Sequence, residues 1–337
     1  MRHILVVTLL VILVAALVFW GLSALGLLPQ QAATQAEPID WLFNLEFMVI
    51  SFLFALIIVP LIYSLVVFRR KPGETGDGTY VEGNTRLEIG WTVIPLIIVL
   101  IFAYLGAENL GRVRQPDLQA MQVQVTGYQW GWQFKYPEYG IRSQELYLPL
   151  DKQILFKMES TDVIHSFWVP EFRVKQDLVP GRVTEVRVTP SKIGRYTLMC
   201  SELCGTQHAY MNAPVVVVTQ AEFDAWVAQR QAEAAAAAAS GPDAARGEEK
   251  YLTYCKACHS IDGSKGVGPT WRGLLGKQVV LTDGTTFIAD EAYILRSIKE
   301  PASQVVAGYP PMAFNAEAVG LTDADLADIV EFIKTLK

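Results

Sequence analysis

Three stretches of the chain are almost wholly apolar, and beyond them the pattern changes twice. Ile4 to Leu28 runs behind Met1-Arg2-His3 with hardly a polar side chain. Phe43 to Phe68 is interrupted by Glu46 and Pro60 and halts at Arg69-Arg70-Lys71. Leu87, Ile89 and the run from Trp91 to Gly106 make the third stretch. A helix that crosses a bilayer needs about 20 apolar residues, so all three are long enough to be considered as spans. Pro60 and Pro95 are no obstacle, because spanning helices tolerate proline where neighbours satisfy the freed carbonyls. The second and third stretches predict a transmembrane helical hairpin. The basic cluster after the second places the 71–88 loop in the cytoplasm, and everything after about Glu108 outside. The first stretch reads either as a cleaved signal, with Thr34-Gln35-Ala36 serving as cleavage site, or as an extra transmembrane helix.

From Met121 the period becomes two. Val123 and Val125, Leu146 and Leu148 about Tyr147, Ile154 and Phe156, and Val183, Val186 and Val188 alternate with polar positions, and Pro137, Gly140, Pro149, Pro180-Gly181 and Pro190 punctuate them. Many short strands of this kind predict an all-β sandwich or small barrel. The stretch from Ala221 to Ala239 begins with Phe223, Trp226 and Val227 and then becomes alanine-rich, as a semi-rigid helical spacer does, ending at Ser240-Gly241-Pro242. Beyond it, helices are expected over Asp243 to Tyr254, over Glu291 to Ile298, and after the Thr322-Asp323-Ala324-Asp325 cap, where Leu326, Ile329, Val330 and Ile333 fall at helical spacing. The last domain is therefore all-α.

The net charge of −6 argues against a nucleic-acid surface. There are only four cysteines, and all lie in ligand-like motifs, as do three of the four histidines.

The stretch Cys200-Ser201-Glu202-Leu203-Cys204-Gly205-Thr206-Gln207-His208-Ala209-Tyr210-Met211 puts two thiols, an imidazole and a thioether into one loop. Soft sulfur ligands with imidazole point to copper. One cysteine would suit a mononuclear centre, whereas two thiolates can bridge a pair of ions. His165, in Asp162-Val163-Ile164-His165, is the nearest second imidazole. The competing reading is a surface disulfide, which needs neither His208 nor Met211. Cys255-Lys256-Ala257-Cys258-His259 is a haem c attachment motif, with His259 as proximal ligand. After His259 there is no further histidine and one methionine, Met312, which becomes the expected distal ligand. A zinc site is disfavoured because nothing follows to complete its ligand set.

The CxExCxxxHxxM loop resembles that of subunit II of haem–copper cytochrome c oxidases. Three further segments are similar to that family: Leu87-Glu88-Ile89-Gly90-Trp91-Thr92-Val93-Ile94-Pro95, Gly127-Tyr128-Gln129-Trp130-Gly131-Trp132, and Phe172-Arg173 through Arg182. Gly266-Val267-Gly268-Pro269 resembles the loop of class I cytochromes c whose proline carbonyl orients the proximal histidine. Together they resemble a caa-type subunit II with a fused class I cytochrome c domain. The resemblance implies a cupredoxin sandwich holding a binuclear copper A centre, with ligands His165, Cys200, Cys204, His208, Met211 and the main-chain carbonyl of Glu202. The Glu202 carboxylate would reach magnesium at the boundary with subunit I, Trp130 would take in electrons, and Glu88 would stand at the mouth of a proton path. Where the family carries a further aromatic, this chain has Gly131. The charges around Arg173 face haem propionates or, by default, water.

The expected organisation is a signal or extra helix over 1–36, the hairpin over 37–110, the copper domain over 111–220, a linker over 221–242 and the haem domain over 243–337. The expected function is electron input to a proton-translocating cytochrome c oxidase. Electrons would pass from covalent haem c through copper A to haem a of subunit I, without an oxygen-reducing centre in this chain. Expected partners are subunits I and III, cytochrome c or another respiratory donor, and the bacterial plasma membrane, with both redox domains on its outer side and no nucleic acid. Two alternatives are subunit II of a copper A nitric oxide reductase and a freestanding membrane-anchored electron carrier.

Overall fold

The computed structural model describes every residue except 79, 313 and 318, and the chain divides into two compact units. The first comprises residues 1–118 with segments 170–174 and 187–191. It holds three long helices, α1 (Arg2–Ala24), α2 (Ala36–Val67) and α3 (Thr85–Val113), each apolar and long enough to cross a membrane. Their apolar side chains are mostly exposed within the chain, as lipid-facing surfaces must be. Each helix begins ahead of its apolar run, and α3 also extends past the end of its run. Asn84 starts α3 because its side chain accepts from the amides of Arg86 and Leu87, and α2 begins seven residues ahead of Phe43 in Ala36-Glu37-Pro38.

The first apolar stretch is helical as far as Ala24. Val11 of α1 packs with Ala55 and Val59 of α2. Between the two helices, Ala32, Ala33 and Ala36 are buried, and the Ala32 amide donates to the Glu171 carbonyl while the Thr34 amide donates to that of Thr189. Arg173 is not left to water. Its guanidinium grips Asp40 through two bonds, Nε to Oδ1 at 2.7 Å and Nη2 to Oδ2 at 3.0 Å, and both side chains are nearly buried. Gln31 donates to the same carboxylate at 2.7 Å. Such a planar fork suits Arg and carboxylate where Lys would not match it.

The second unit contains both remaining domains. The β domain is a sandwich of two five-stranded sheets. One runs β3 (Ile141–Ser143), β2 (Gly131–Tyr136), β1 (Met121–Tyr128), β5 (Ile154–Ser160) and β8 (Thr184–Val188). The other runs β4 (Leu146–Pro149), β10 (Asn212–Val218), β9 (Gly194–Cys200), β6 (His165–Trp168) and β7 (Lys175–Leu178). β1 pairs parallel with β5, and β4 with β10. The alternation seen in the sequence becomes the inner face: Val123, Val125, Phe134, Phe156, Phe167 and Leu198 are all fully or almost fully buried.

Helix α4 (Gln220–Ser240) opens with a capping box, in which Thr219 and Glu222 satisfy one another's amides. Its first turns belong to the β domain. Phe223, Trp226 and Val227 are buried, and the Trp226 indole stacks on Tyr147 with centroids 4.6 Å apart and planes 8° from parallel. The alanine half is solvated.

The last domain has α5 (Ala244–Lys250), α6 (Glu291–Lys299) and α7 (Asp323–Thr335), with a continuous apolar core from Tyr251, Trp271, Ile294, Ile329, Phe332 and Ile333. Gly247 lies against α7 so closely that a Cβ would stand 2.0 Å from the Asp328 carbonyl oxygen. The sequence pattern did not show one element, a small hairpin of β11 (Gln278–Val280) and β12 (Thr286–Ile288).

Candidate metal centre

Strand pairing builds the first site. β6 and β9 are neighbours, with Phe167 opposite Cys200, so His165 on β6 comes beside the cysteine that ends β9. The loop from Ser201 then turns back and re-enters the sheet at Asn212 as β10, placing Met211 at its base with its main chain paired to Cys200. His165, Cys200 and Cys204 are buried, and their ligand atoms all lie within 4.8 Å of one another. The two sulfurs are 3.7 Å apart. Cys200 Sγ is 3.9 Å from His165 Nδ1 and 3.2 Å from the Glu202 carbonyl oxygen. Cys204 Sγ is 3.5 Å from His208 Nδ1 and 3.7 Å from Met211 Sδ. The four other donors that the resemblance implies thus stand around the two sulfurs.

The donor set fits a pair of soft ions. At 3.7 Å the thiols are not bonded as a disulfide, and the gap is less than twice the roughly 2.3 Å of a metal–thiolate bond. Cys200 and Cys204 together would hold soft ions, which would supply one-electron chemistry there. One imidazole and one further donor stand toward each cysteine: His165 and the Glu202 carbonyl by Cys200, His208 and Met211 by Cys204.

Ionisation is prepared unequally. Burial opposes the Cys200 thiolate, but hydrogen bonds from His165, the main chain at Glu202 and Ser166, and Cys204 outweigh it and bring its pKa down to about 6. Burial and the neighbouring Cys200 push Cys204 up to about 12. The pair thus carries one ready thiolate, and a bound cation would draw off the second proton.

Several groups beyond the ligands hold the site, and sequence reasoning assigned no role to two of them, Asp162 and Gln129. Asp162 Oδ1 is 2.8 Å from His165 Nε2 and leaves Nδ1 facing the sulfur. Burial alone would raise the Asp162 pKa, but hydrogen bonds from His165 and from the amides of Gln129 and Val163 keep it low. Gln129 Nε2 and Trp130 Nε1 both donate to the Cys204 carbonyl, at 2.7 and 3.1 Å. Trp132 donates to the Met211 carbonyl at 3.3 Å. The loop can approach Trp130 only because residue 205 is glycine: its φ is +119°, and a Cβ would come within 2.9 Å of the indole. An acid three residues before a histidine is too common a pattern to single out Asp162 in a sequence.

The second site lies in the last domain. His259 Nδ1 donates to the Pro269 carbonyl at 2.8 Å, which leaves Nε2 as the free ring nitrogen. A Cβ at residue 268 would stand 2.6 Å from the imidazole, so Gly268 is needed for this approach. His259 and Met312 both line one apolar cavity with Trp271, Leu274, Tyr293 and Ile298. Its lining and the paired cysteines Cys255 and Cys258 fit a covalently attached haem. Glu88 stands in the first turn of α3 with its side chain exposed, and the Glu202 carboxylate is exposed as well.

Three membrane-capable helices, a β sandwich with a His–Cys–Cys cluster and a helical domain with a haem-attachment motif define a membrane redox subunit, and comparison with known proteins names the family. Residues 18–106 match the family profile of the cytochrome c oxidase subunit II transmembrane domain, 141–220 that of its periplasmic domain, and 244–337 that of cytochrome c. The chain is 34% identical over 278 residues to cytochrome c oxidase subunit 2 of Thermostichus vulcanus, covering 67% of this chain and 85% of the relative. It is 33% identical over 271 residues to that of Synechocystis, covering 66% and 82%. The counterpart in Alkalihalophilus pseudofirmus is 29% identical over 339 residues, covering 95% of each chain. The chain belongs to the cytochrome c oxidase subunit 2 family, in its caa-type form with a fused cytochrome c domain. It is thus a membrane-embedded subunit of a haem–copper oxidase, and subunit I is its partner.

Proposed function

We propose that the chain accepts electrons at a haem c held by Cys255, Cys258, His259 and Met312. It would pass them through a binuclear copper A centre, held by His165, Cys200, Cys204, His208, Met211 and the Glu202 carbonyl, to haem a of subunit I. The observation that carries the reading is the convergence of four further donors, two imidazoles, a thioether and a main-chain carbonyl, on two sulfurs 3.7 Å apart. When bound, haem and copper supply one-electron chemistry, and the oxygen reduction and proton pumping they feed take place in subunit I.

The chain's own residues keep the ligands from moving. Asp162 fixes the His165 ring, Gln129 and Trp130 hold the Cys204 carbonyl, and Trp132 holds that of Met211. A framework that cannot relax keeps the cost of changing charge low. In the second domain Pro269 fixes the tautomer of His259, and a His/Met ligand pair would raise the potential of the iron, as a donor site needs. Both redox domains are placed on the outer side of the plasma membrane, because Arg69-Arg70-Lys71 follows α2 and marks the inner side. Cytochrome c or another respiratory carrier is the donor, and subunit III a further partner. Trp130, hydrogen-bonded to the Cys204 carbonyl, is the electron intake. Glu88 is assigned to the mouth of a proton path, and the exposed Glu202 carboxylate to magnesium at the boundary with subunit I.

Tethering the donor makes its encounter with the copper intramolecular. Removing residues from Gly241 onward in the intact complex should therefore slow electron input yet leave copper bound and oxygen as the gas consumed. Unchanged turnover with every donor would take haem c out of the route, and consumption of nitric oxide in place of oxygen would contradict the assignment of the complex.

A further inference from the structure

The fused domain packs against the β sandwich through a small, specific contact, and that contact sits at one end of the segment that braces the copper ligands. Tyr128, at the end of β1, packs against the core of the last domain, as do Tyr254 and Cys255 of that domain. Gln144 donates to the Tyr254 hydroxyl at 2.8 Å and lies beside Tyr128. Beside this group, Arg142 donates to the Glu317 carbonyl at 3.3 Å. Gly320 lies on Gln133 so tightly that a Cβ would stand 2.5 Å from the amide oxygen.

Gly131 explains how Tyr128 reaches this position. A Cβ at residue 131 would lie 2.7 Å from both Cζ and the hydroxyl oxygen of Tyr128. The phenol therefore covers the ground that any side chain at 131 would need. From Tyr128 the chain continues directly into the bracing residues. The Gln129 amide donates to Asp162, which holds His165, and the side chains of Gln129 and Trp130 hold the Cys204 carbonyl. Three consecutive residues thus link the segment carrying the first haem-attachment cysteine to both halves of the ligand set.

We propose that Tyr128, admitted by Gly131 and set beside the Gln144–Tyr254 hydrogen bond, is the docking residue that seats the tethered haem domain on the copper domain, and that Tyr128-Gln129-Trp130 carries the electron between them. The transfer moves one electron, lost by ferrous haem and gained by the oxidised copper pair, with no bond made or broken and no proton required. The Tyr128 ring takes the space that a side chain at 131 would need and faces the chain's own donor domain. This inference rests on the redox reading above and adds the contact through which that reading operates.

The test uses the purified, fully loaded complex and the variants Tyr128→Phe, Tyr128→Ala and Gly131→Phe. Two quantities are read: amide hydrogen exchange at residues 141–145 and 251–256, and the rate of internal electron transfer after photoreduction of haem c. Tyr128→Ala and Gly131→Phe should raise exchange in both segments and slow transfer about tenfold or more, since misplacement by an ångström can cost that much. Tyr128→Phe keeps the ring, loses the hydroxyl, and should fall between them and the parent. The copper spectrum and the haem potential should stay as in the parent chain. Unchanged exchange and rate in Tyr128→Ala and Gly131→Phe would overturn the proposal, as would loss of the copper spectrum, which would make Tyr128 a prop for the ligand loop alone. Absence of a copper-pair spectrum in the parent would instead sink the redox reading itself, so the two failures are distinct.

Discussion

Asp162 reaches no expected ligand position, yet it joins His165 to the amides of Gln129 and Val163. Partners of this type usually cost about 10–100-fold in metal affinity when removed. Asp162→Ala should therefore release copper at correspondingly lower chelator concentration while haem c content stays constant, as a copper-to-haem ratio across a chelator titration would show. Equal retention by variant and parent would mean that β6 alone orients the ring. The proposed ligand set could be put forward from the sequence because five of its six members, all but His165, stand in one uninterrupted loop, where spacing is itself the signal. Asp162 and Gln129 could not, since their roles depend on how β1 ends against the turn before β6. Arg173 was misjudged for the same reason: its partner Asp40 lies 133 residues away, and nothing local announces it.

At the scale of elements, the β alternation and the capped helices appear where their patterns placed them, and α4 is the instructive difference. Its alanine content reads as spacer, but Phe223 and Trp226 dock on Tyr136, Tyr139 and Tyr147, and that docking depends on aromatics exposed by strands far back in the chain. Helix α7 offers a pH-dependent test outside the metal sites. Burial alone would raise the Asp325 pKa, but hydrogen bonds from the Thr322 amide and hydroxyl and the ion pair with Lys250 lower it. A lowered folded pKa adds stability above the unfolded value of about 3.9, and that stability is lost as pH falls through the folded value. Asp325→Asn should thus destabilise the haem domain near neutral pH by about 1 kcal/mol, in the range of a lost cap, and the difference should close in acid. Thermal unfolding of the haem domain at several pH values would check this; a constant difference across pH would contradict it.

Over the whole molecule, the order of membrane helices, β sandwich and helical domain could be read from the sequence because the first has unbroken apolar runs and each of the others its own periodicity and ligand-like motif. The contact between the last two could not. Tyr128 looks like any strand aromatic, and Gly131 like a missing one, until the structure shows the first filling the space left by the second. Everything downstream depends on the two sulfurs 3.7 Å apart sharing a pair of copper ions. The most direct test is near-infrared absorption and electron paramagnetic resonance of the purified complex, with copper and haem c counted in the same sample. The account predicts two coppers in this subunit for each haem c, a near-infrared band and one unpaired electron shared between two copper nuclei. A single copper with a localised spin, or a cystine joining Cys200 to Cys204, would contradict it.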